Sequence, residues 1–223
     1  MSKERITLNI DGQSVTVPPG TTLWDAAASL GIEIPALCHD PRLQPVGVCR
    51  LCVVDTGERN LAASCVRVCE AGMDVQTASG ELEAHRRTLV ELLLSDQPEQ
   101  SMRERTTGDD ALYALARRYG ITDVRFPDGA ADAPRGHDDS SPVIVVDHQA
   151  CILCDRCVRA CDEIQHNDVI TRTGKGHTAR IAFDLDQPMG ESSCVSCGEC
   201  VAACPTGALT HKALNGLRVE EGV

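Results

Sequence analysis

The first seventeen residues alternate. Ile6, Leu8 and Ile10 are apolar at every second position, Asp11-Gly12 interrupts them, and Val15 and Val17 resume the alternation. A period of two on both sides of Asp-Gly predicts a β-hairpin. Pro18, Pro19 and Gly20 close it, Thr21 or Thr22 stands where a helix N-cap is wanted, and LWDAAASLG predicts a short helix ending at Gly31. Further short strands are expected at 50–55, 61–64 and 73–77. From 81 to 94, ELEAHRRTLVELLL places Leu82, Leu89, Leu92 and Leu93 near helical spacing among good helix formers. DALYALARRYG predicts a second helix stopping at Gly120. TDVRFPDGAADAPRGHDDSSP then concentrates Pro, Gly, Asp and Ser without a period and reads as a linker or surface loop. VIVVD, at 143–147, predicts a buried strand.

This order of elements predicts an α+β chain of several small units. The expected segments are 1–78, 79–121, a linker at 122–142, 143–212 and a tail at 213–223. Only 2% of the residues are aromatic, so the units need something besides large side chains to hold them. The N-terminus shows no apolar run after its charges, and no apolar stretch approaches the ~20 residues of a membrane helix. A cytoplasmic protein without a membrane span is expected. There, 13 cysteines suggest metal ligands rather than disulfides. Lys+Arg 21 against Asp+Glu 33 gives a net charge of -12, which excludes the basic surface of a nucleic-acid binder.

Two cysteine runs carry the chemistry. CILCDRCVRAC contains Cys151, Cys154, Cys157 and Cys161, and CVSCGECVAACP contains Cys194, Cys197, Cys200 and Cys204, followed by Pro205. Both follow C-x2-C-x2-C-x3-C, the bacterial ferredoxin spacing for [4Fe-4S] clusters. Three close cysteines wrap one cube and the fourth, a helical turn onward, reaches its neighbour. The expected assignment is therefore crossed: Cys151, Cys154, Cys157 and Cys204 for one cluster, and Cys194, Cys197, Cys200 and Cys161 for the other. Four thiolates also suit zinc, but zinc sites use two separated pairs more often than a triple plus one. Near the N-terminus, Cys38, Cys49, Cys52 and Cys65 form a long loop with an internal C-x2-C and a distant fourth member. That spacing is akin to the plant-type [2Fe-2S] arrangement, with a longer first interval.

GIEIPALCHDPRLQPVGVCRLCVVD and LAASCVRVCEAGMDVQT closely resemble the N-terminal domain shared by the large iron-sulfur subunit of complex I, iron-only hydrogenases, the diaphorase small subunit of NAD-reducing hydrogenases and NAD-dependent molybdenum formate dehydrogenases. ESSCVSCGECVAACPTGAL resembles the two-cluster ferredoxin domain of the same group, so the likeness runs from about Ile6 to Lys212. It implies a β-grasp 2Fe-2S ferredoxin domain, a helical connecting segment and a bacterial-type two-[4Fe-4S] ferredoxin domain. It also implies Cys65 as the fourth [2Fe-2S] ligand, which leaves Cys69 over as a free buried cysteine. In that family the helix ending in ELLL precedes a further cluster bound by H-x3-C-x2-C-x5-C. Here the same positions hold Gln97, Ser101, Glu104 and Asp110, none a thiolate or imidazole. The resemblance thus implies a vacated cluster site and three clusters, one [2Fe-2S] and two [4Fe-4S].

His39 and His148, beside cysteine ligands, are expected in hydrogen-bonding surface roles. His166, His177 and His211 draw no functional assignment, and no dinucleotide fingerprint, P-loop or catalytic triad is present. The resemblance implies an electron-transfer subunit in a hetero-oligomer, with an NAD(P)-reactive flavoprotein subunit and a catalytic subunit as partners. A molybdopterin formate dehydrogenase is the expected catalytic partner; an NAD-reducing hydrogenase or a complex I-like module is the alternative.

Overall fold

The computed structural model describes residues 5–127 and 135–216. The chain divides into two compact units, one of residues 5–39 and 45–89, the other of 40–44 and the described residues from 90 onward.

In the first unit, β1 (Ile6–Ile10) and β2 (Gln13–Val17) form the expected hairpin, with Ile6 opposite Val17 and Ile10 opposite Gln13. Asp11 and Gly12 both take positive φ, 49° and 77°, as a type I′ turn requires. Helix α1 (Leu23–Ser29) is capped by Thr22, whose hydroxyl accepts from Asp25 N at 3.1 Å. It lays Leu23, Ala26 and Ala27 against Leu8, Ile10 and Val17 of the sheet. Two short strands, β3 (Val53–Val54) and β4 (Ala62–Ala63), pair antiparallel. β5 (Asp74–Val75) returns to lie parallel to β1, giving the sheet order β2-β1-β5. The three later strands expected from sequence are present but only two residues long each.

Helix α2 (Gly80–Leu94) begins as the 81–94 pattern predicts. It carries a buried cation. Arg86, 2% exposed, donates from Nε to Leu51 O at 3.2 Å and from Nη2 to the carbonyls of Val53 and Thr77, both at 2.8 Å. One side chain thus satisfies three carbonyls from two stretches of chain.

The second unit contains a helix that the apolar pattern misses. α3 (Met102–Thr106) has no buried residue, and its signal is the Ser101-x-x-Glu104 start rather than a hydrophobic stripe. α4 (Ala111–Arg118) follows, with Asp110 as its cap rather than its first turn. The expected linker contains a strand: β6 (His137–Asp138) pairs with β7 (Ile144–Asp147), held by the Asp138 carboxylate, which accepts from Ser140 N at 2.9 Å and Met189 N at 2.7 Å. Residues 128–134 of that linker and 217–223 of the tail lie outside the described residues.

Each cysteine run leads into a short helix: the first into α5 (Arg156–Arg159), which continues as a π-helical turn over Ala160–Ile164, the second into α6 (Glu199–Ala203). Between them lies a hairpin that the cysteine spacing does not predict, β8 (Ile170–Thr173) with β9 (Arg180–Phe183). α6 (Glu199–Ala203) precedes β10 (Leu209–His211), which completes the sheet β10-β7-β6. Ile144, Val146, Ile181, Phe183 and Leu209 pack around the cysteines themselves. Among the described residues no helix is long and apolar enough to cross a membrane.

Candidate metal centres

The first centre is assembled on loops. Cys38 follows α1, Cys49 and Cys52 lead into β3, and Cys65 leaves β4. Pairing of β3 with β4 sets Cys52 beside the Ser64–Cys65 step: Ser64 donates its amide to Cys52 O at 3.0 Å and its hydroxyl to the same oxygen at 2.7 Å. The sulfurs of Cys52 and Cys65 are 3.4 Å apart, and Cys49 N points at Cys38 Sγ at 3.5 Å. Hydrogen bonds from the thiols of Cys49 and Cys65 lower the pKa of Cys38 below the ordinary thiol value. A thiol bond to Cys65 likewise lowers Cys52. The four sulfurs are thus linked pairwise, Cys49 to Cys38, Cys38 to Cys65 and Cys65 to Cys52. Cys69 is buried nearby in the apolar core, its thiol raised by burial.

In the second unit the two runs share a backbone device. Leu153 (φ 55°) and Asp155 (φ 60°) in the first, and Ser196 (φ 55°) and Gly198 (φ 84°) in the second, occupy the left-handed region at matching places. This reversal turns successive N–H groups inward, a nest suited to an anion. Accordingly Leu153 N approaches Cys151 Sγ, and Ser196 N approaches Cys194 Sγ, each at 3.4 Å. The first run is buried throughout, whereas Cys194 is half-buried and Cys197 exposed. One pocket is lined by Cys151, Cys154, Cys157 and, from the far end of the other run, Cys204. Cys200 in turn lies in the field of Cys194, Cys197, Cys204 and Cys161.

These sulfurs fit an iron-sulfur group on their own chemistry: soft thiolate donors, nearly all buried, with N–H donors aimed at them. Among the described residues no three His, Cys, Asp or Glu side chains are arranged for a single metal ion.

Two family descriptions match the chain, a 2Fe-2S iron-sulfur cluster binding domain over residues 3–80 and a 4Fe-4S dicluster domain over 133–208. A chain in the crystal structure of an NAD+-reducing [NiFe]-hydrogenase in the H2-reduced state superposes with a TM-score of 0.84 at 32% identity, covering 93% of this chain and 88% of that one. The chain belongs to this iron-sulfur family. Other relatives of this ferredoxin pair are the NADP-reducing hydrogenase subunit HndD of Solidesulfovibrio fructosivorans, 38% identical over 92% of this chain, and an NADH-quinone oxidoreductase subunit of Rhizobium meliloti, 36% identical over 92%. A putative formate dehydrogenase of Staphylococcus haemolyticus is 26% identical over 96%. The chain spans 36%, 24% and 21% of the lengths of these three. The ferredoxin domains carry one [2Fe-2S] and two [4Fe-4S] clusters.

Most of the dicluster domain's thiols are buried. Burial, then neighbouring sulfurs, pushes Cys154 and Cys200 up to about 12, while burial pushes Cys151 up to about 11 and Cys157 well above its ordinary value. Without a cation these thiols stay protonated, so cluster binding and proton release are linked.

Sequence reasoning places His148 at the surface, and the structure corrects it. The ring is 7% exposed, and burial lowers its pKa to about 4. His39 is half-buried, with its ring 4.7 Å from that of Trp24. Sequence reasoning misses Asp40, 4% exposed in the second unit, which Arg42 (3.0 Å) and Arg156 (2.8 Å) hold well below the usual carboxylate range. Arg156 precedes Cys157, but nothing in the spacing of these charges advertises the pair.

Proposed function

We propose that this chain is an electron relay of a multi-subunit NAD(P)-linked oxidoreductase, passing single electrons between a flavoprotein subunit and a catalytic subunit. The observation that carries the reading is the convergence of Cys151, Cys154 and Cys157 with Cys204 in one pocket. It supports a crossed ligand set, Cys151, Cys154, Cys157 and Cys204 for one [4Fe-4S] cluster, Cys194, Cys197, Cys200 and Cys161 for the other. Cys38, Cys49, Cys52 and Cys65 hold the [2Fe-2S] cluster in this reading, in a domain of residues 1–78. Segment 79–121 serves as scaffold, with Gln97, Ser101, Glu104 and Asp110 at a cluster site that has been lost, and 143–212 is the two-cluster domain. When bound, the clusters supply one-electron exchange; the protein supplies ligands, dry surroundings and oriented N–H groups.

For the catalytic partner we infer a molybdopterin formate dehydrogenase, on the loss of the histidine and three cysteines at the four family positions. A hydrogenase is the second reading, favoured by the 88% coverage of a chain from an NAD+-reducing [NiFe]-hydrogenase. Iron and acid-labile sulfide on anaerobically purified protein, with EPR of the reduced sample, test the relay: two plus four plus four gives about ten irons per chain. About fourteen would restore a cluster to the Gln97–Asp110 segment, and zinc without iron would overturn the relay. Molybdenum against nickel in the co-purified complex separates the two partners.

A further inference from the structure

Helices α3 and α4 start on caps that are bonded to each other. Ser101 Oγ accepts from Glu104 N at 3.2 Å and donates to Asp110 Oδ2 at 2.6 Å. Asp110 Oδ1 accepts from the amides of Leu112 at 2.9 Å and Tyr113 at 3.3 Å. Both cap side chains are fully buried. Capping two helices needs nothing more, yet Oδ2 also accepts from Gly207 N at 3.1 Å, 97 residues along the chain.

That further bond is one of three that grip a single short stretch. Arg103 Nη1 donates to Cys204 O at 2.5 Å, Ala111 N donates to Pro205 O at 2.8 Å, and Gly207 N meets Asp110. The other guanidinium nitrogens of Arg103 are engaged by Asp109, Nε to Oδ1 at 2.9 Å and Nη2 to Oδ2 at 3.0 Å, which fixes the direction of Nη1. The approach is so close that a Cβ on Gly207 would lie 2.6 Å from Ser101 Cβ. Inside the stretch, Cys204 Sγ sits 3.1 Å from Thr206 O, and the Thr206 hydroxyl donates to Ala150 O at 2.8 Å, next to Cys151.

We propose that Ser101, Arg103 and Asp110 form a clamp on Cys204–Gly207 that positions Cys204 as a ligand and sets the potential of the one [4Fe-4S] cluster it serves. The proposal rests on the assignment of Cys204 made above. It makes these three positioning residues in a segment that supplies no ligand. Cluster potentials respond to charge, hydrogen bonding and burial around the sulfurs. The clamp governs all three at one ligand: a cation on its carbonyl, fixed backbone after it, and a closed wall of helix caps.

The test is an EPR-monitored redox titration of the full chain, purified anaerobically with its clusters, beside Arg103→Gln, Ser101→Ala and Gly207→Ala. Arg103→Gln leaves the Asp109 carboxylate uncompensated, so one cubane midpoint is expected to move down. The other cubane and the [2Fe-2S] cluster keep theirs. Ser101→Ala and Gly207→Ala are expected to shift the same midpoint and alter the same EPR signal. If Gly207→Ala fails to retain iron, the two milder variants decide. Retained iron with all three midpoints unmoved in both Arg103→Gln and Ser101→Ala overturns the clamp. Cys204→Ser separates this failure from failure of the ligand assignment. A variant with both cubane signals unaltered overturns the assignment; one altered cubane there, with Arg103→Gln and Ser101→Ala silent, overturns the clamp alone.

Discussion

In the first unit the four cysteines come from three separate places, the loop that follows α1, the approach to β3 and the exit of β4. In the second unit each group of three comes from seven consecutive residues, and the backbone of those residues provides both the curvature and the inward N–H groups. The first site is held by pairing between its own strands and, from outside, by Arg86 reaching Leu51, Val53 and Thr77. The second is held from within, and its surrounding core is built on the cysteines themselves. The same chemistry can thus rest on a scaffold that would stand without it, or on one that it helps to build.

Removing iron should break that comparison most widely. Chelation under anaerobic conditions is expected to lower amide-exchange protection across α5, α6 and β7 while β1, β2 and α1 keep theirs, because those rest on an apolar core of Leu8, Ile10, Val17 and Leu23. Equal loss in both units would remove the distinction. In the stripped protein the sign of the pH dependence follows from the raised thiols. Cys151, Cys154 and Cys200 stay protonated in the fold up to about 11, about 12 and about 12, whereas unfolded thiols ionise from 9.0. Between those limits the unfolded state holds fewer protons, so stability falls as pH rises, by about 1.4 kcal/mol per thiol per pH unit. Denaturant melts of the stripped and cluster-loaded protein at pH 8 to 10.5 check this; the loaded protein, with its thiolates ligated, should not show the slope.

Arg86→Met sharpens the contrast from the other side. It strands three carbonyls in the first unit, and the expected cost is about 3 kcal/mol or more of stability there. The EPR signal of the [2Fe-2S] cluster should weaken with the cubane signals intact. Smallest is Thr22→Ala, which removes the α1 cap and should cost about 1 kcal/mol in the same melt, with every cluster retained.

Legibility in the sequence divides along similar lines. The hairpin, α1, α2 and the two cysteine runs are encoded locally, by a period of two, by a cap or by spacing, and a local reading finds them. Arg86 is invisible to it because its partners lie at residues 51, 53 and 77, and a charged residue on a helix ordinarily faces solvent. α3 escapes because it buries no residue, although Ser101-x-x-Glu104 is there to be read. The β8–β9 hairpin is also within reach, since Ile181 and Phe183 alternate, but the cysteines on either side are the louder signal. His148 is misplaced because adjacency to a ligand says nothing of depth: β6, which folds over it, is two residues long and carries no apolar signal.

The left-handed pairs Leu153–Asp155 and Ser196–Gly198 bear on speed as well as shape. Amide groups that a rigid backbone already points at a sulfur need not swing round when negative charge arrives, whereas water or a free side chain would have to turn. The rearrangement that accompanies each hop is thereby made small before the electron comes, and by peptide groups rather than by side chains. Pace is then governed by separation, and these residues bear on it through the left-handed bend of their backbone.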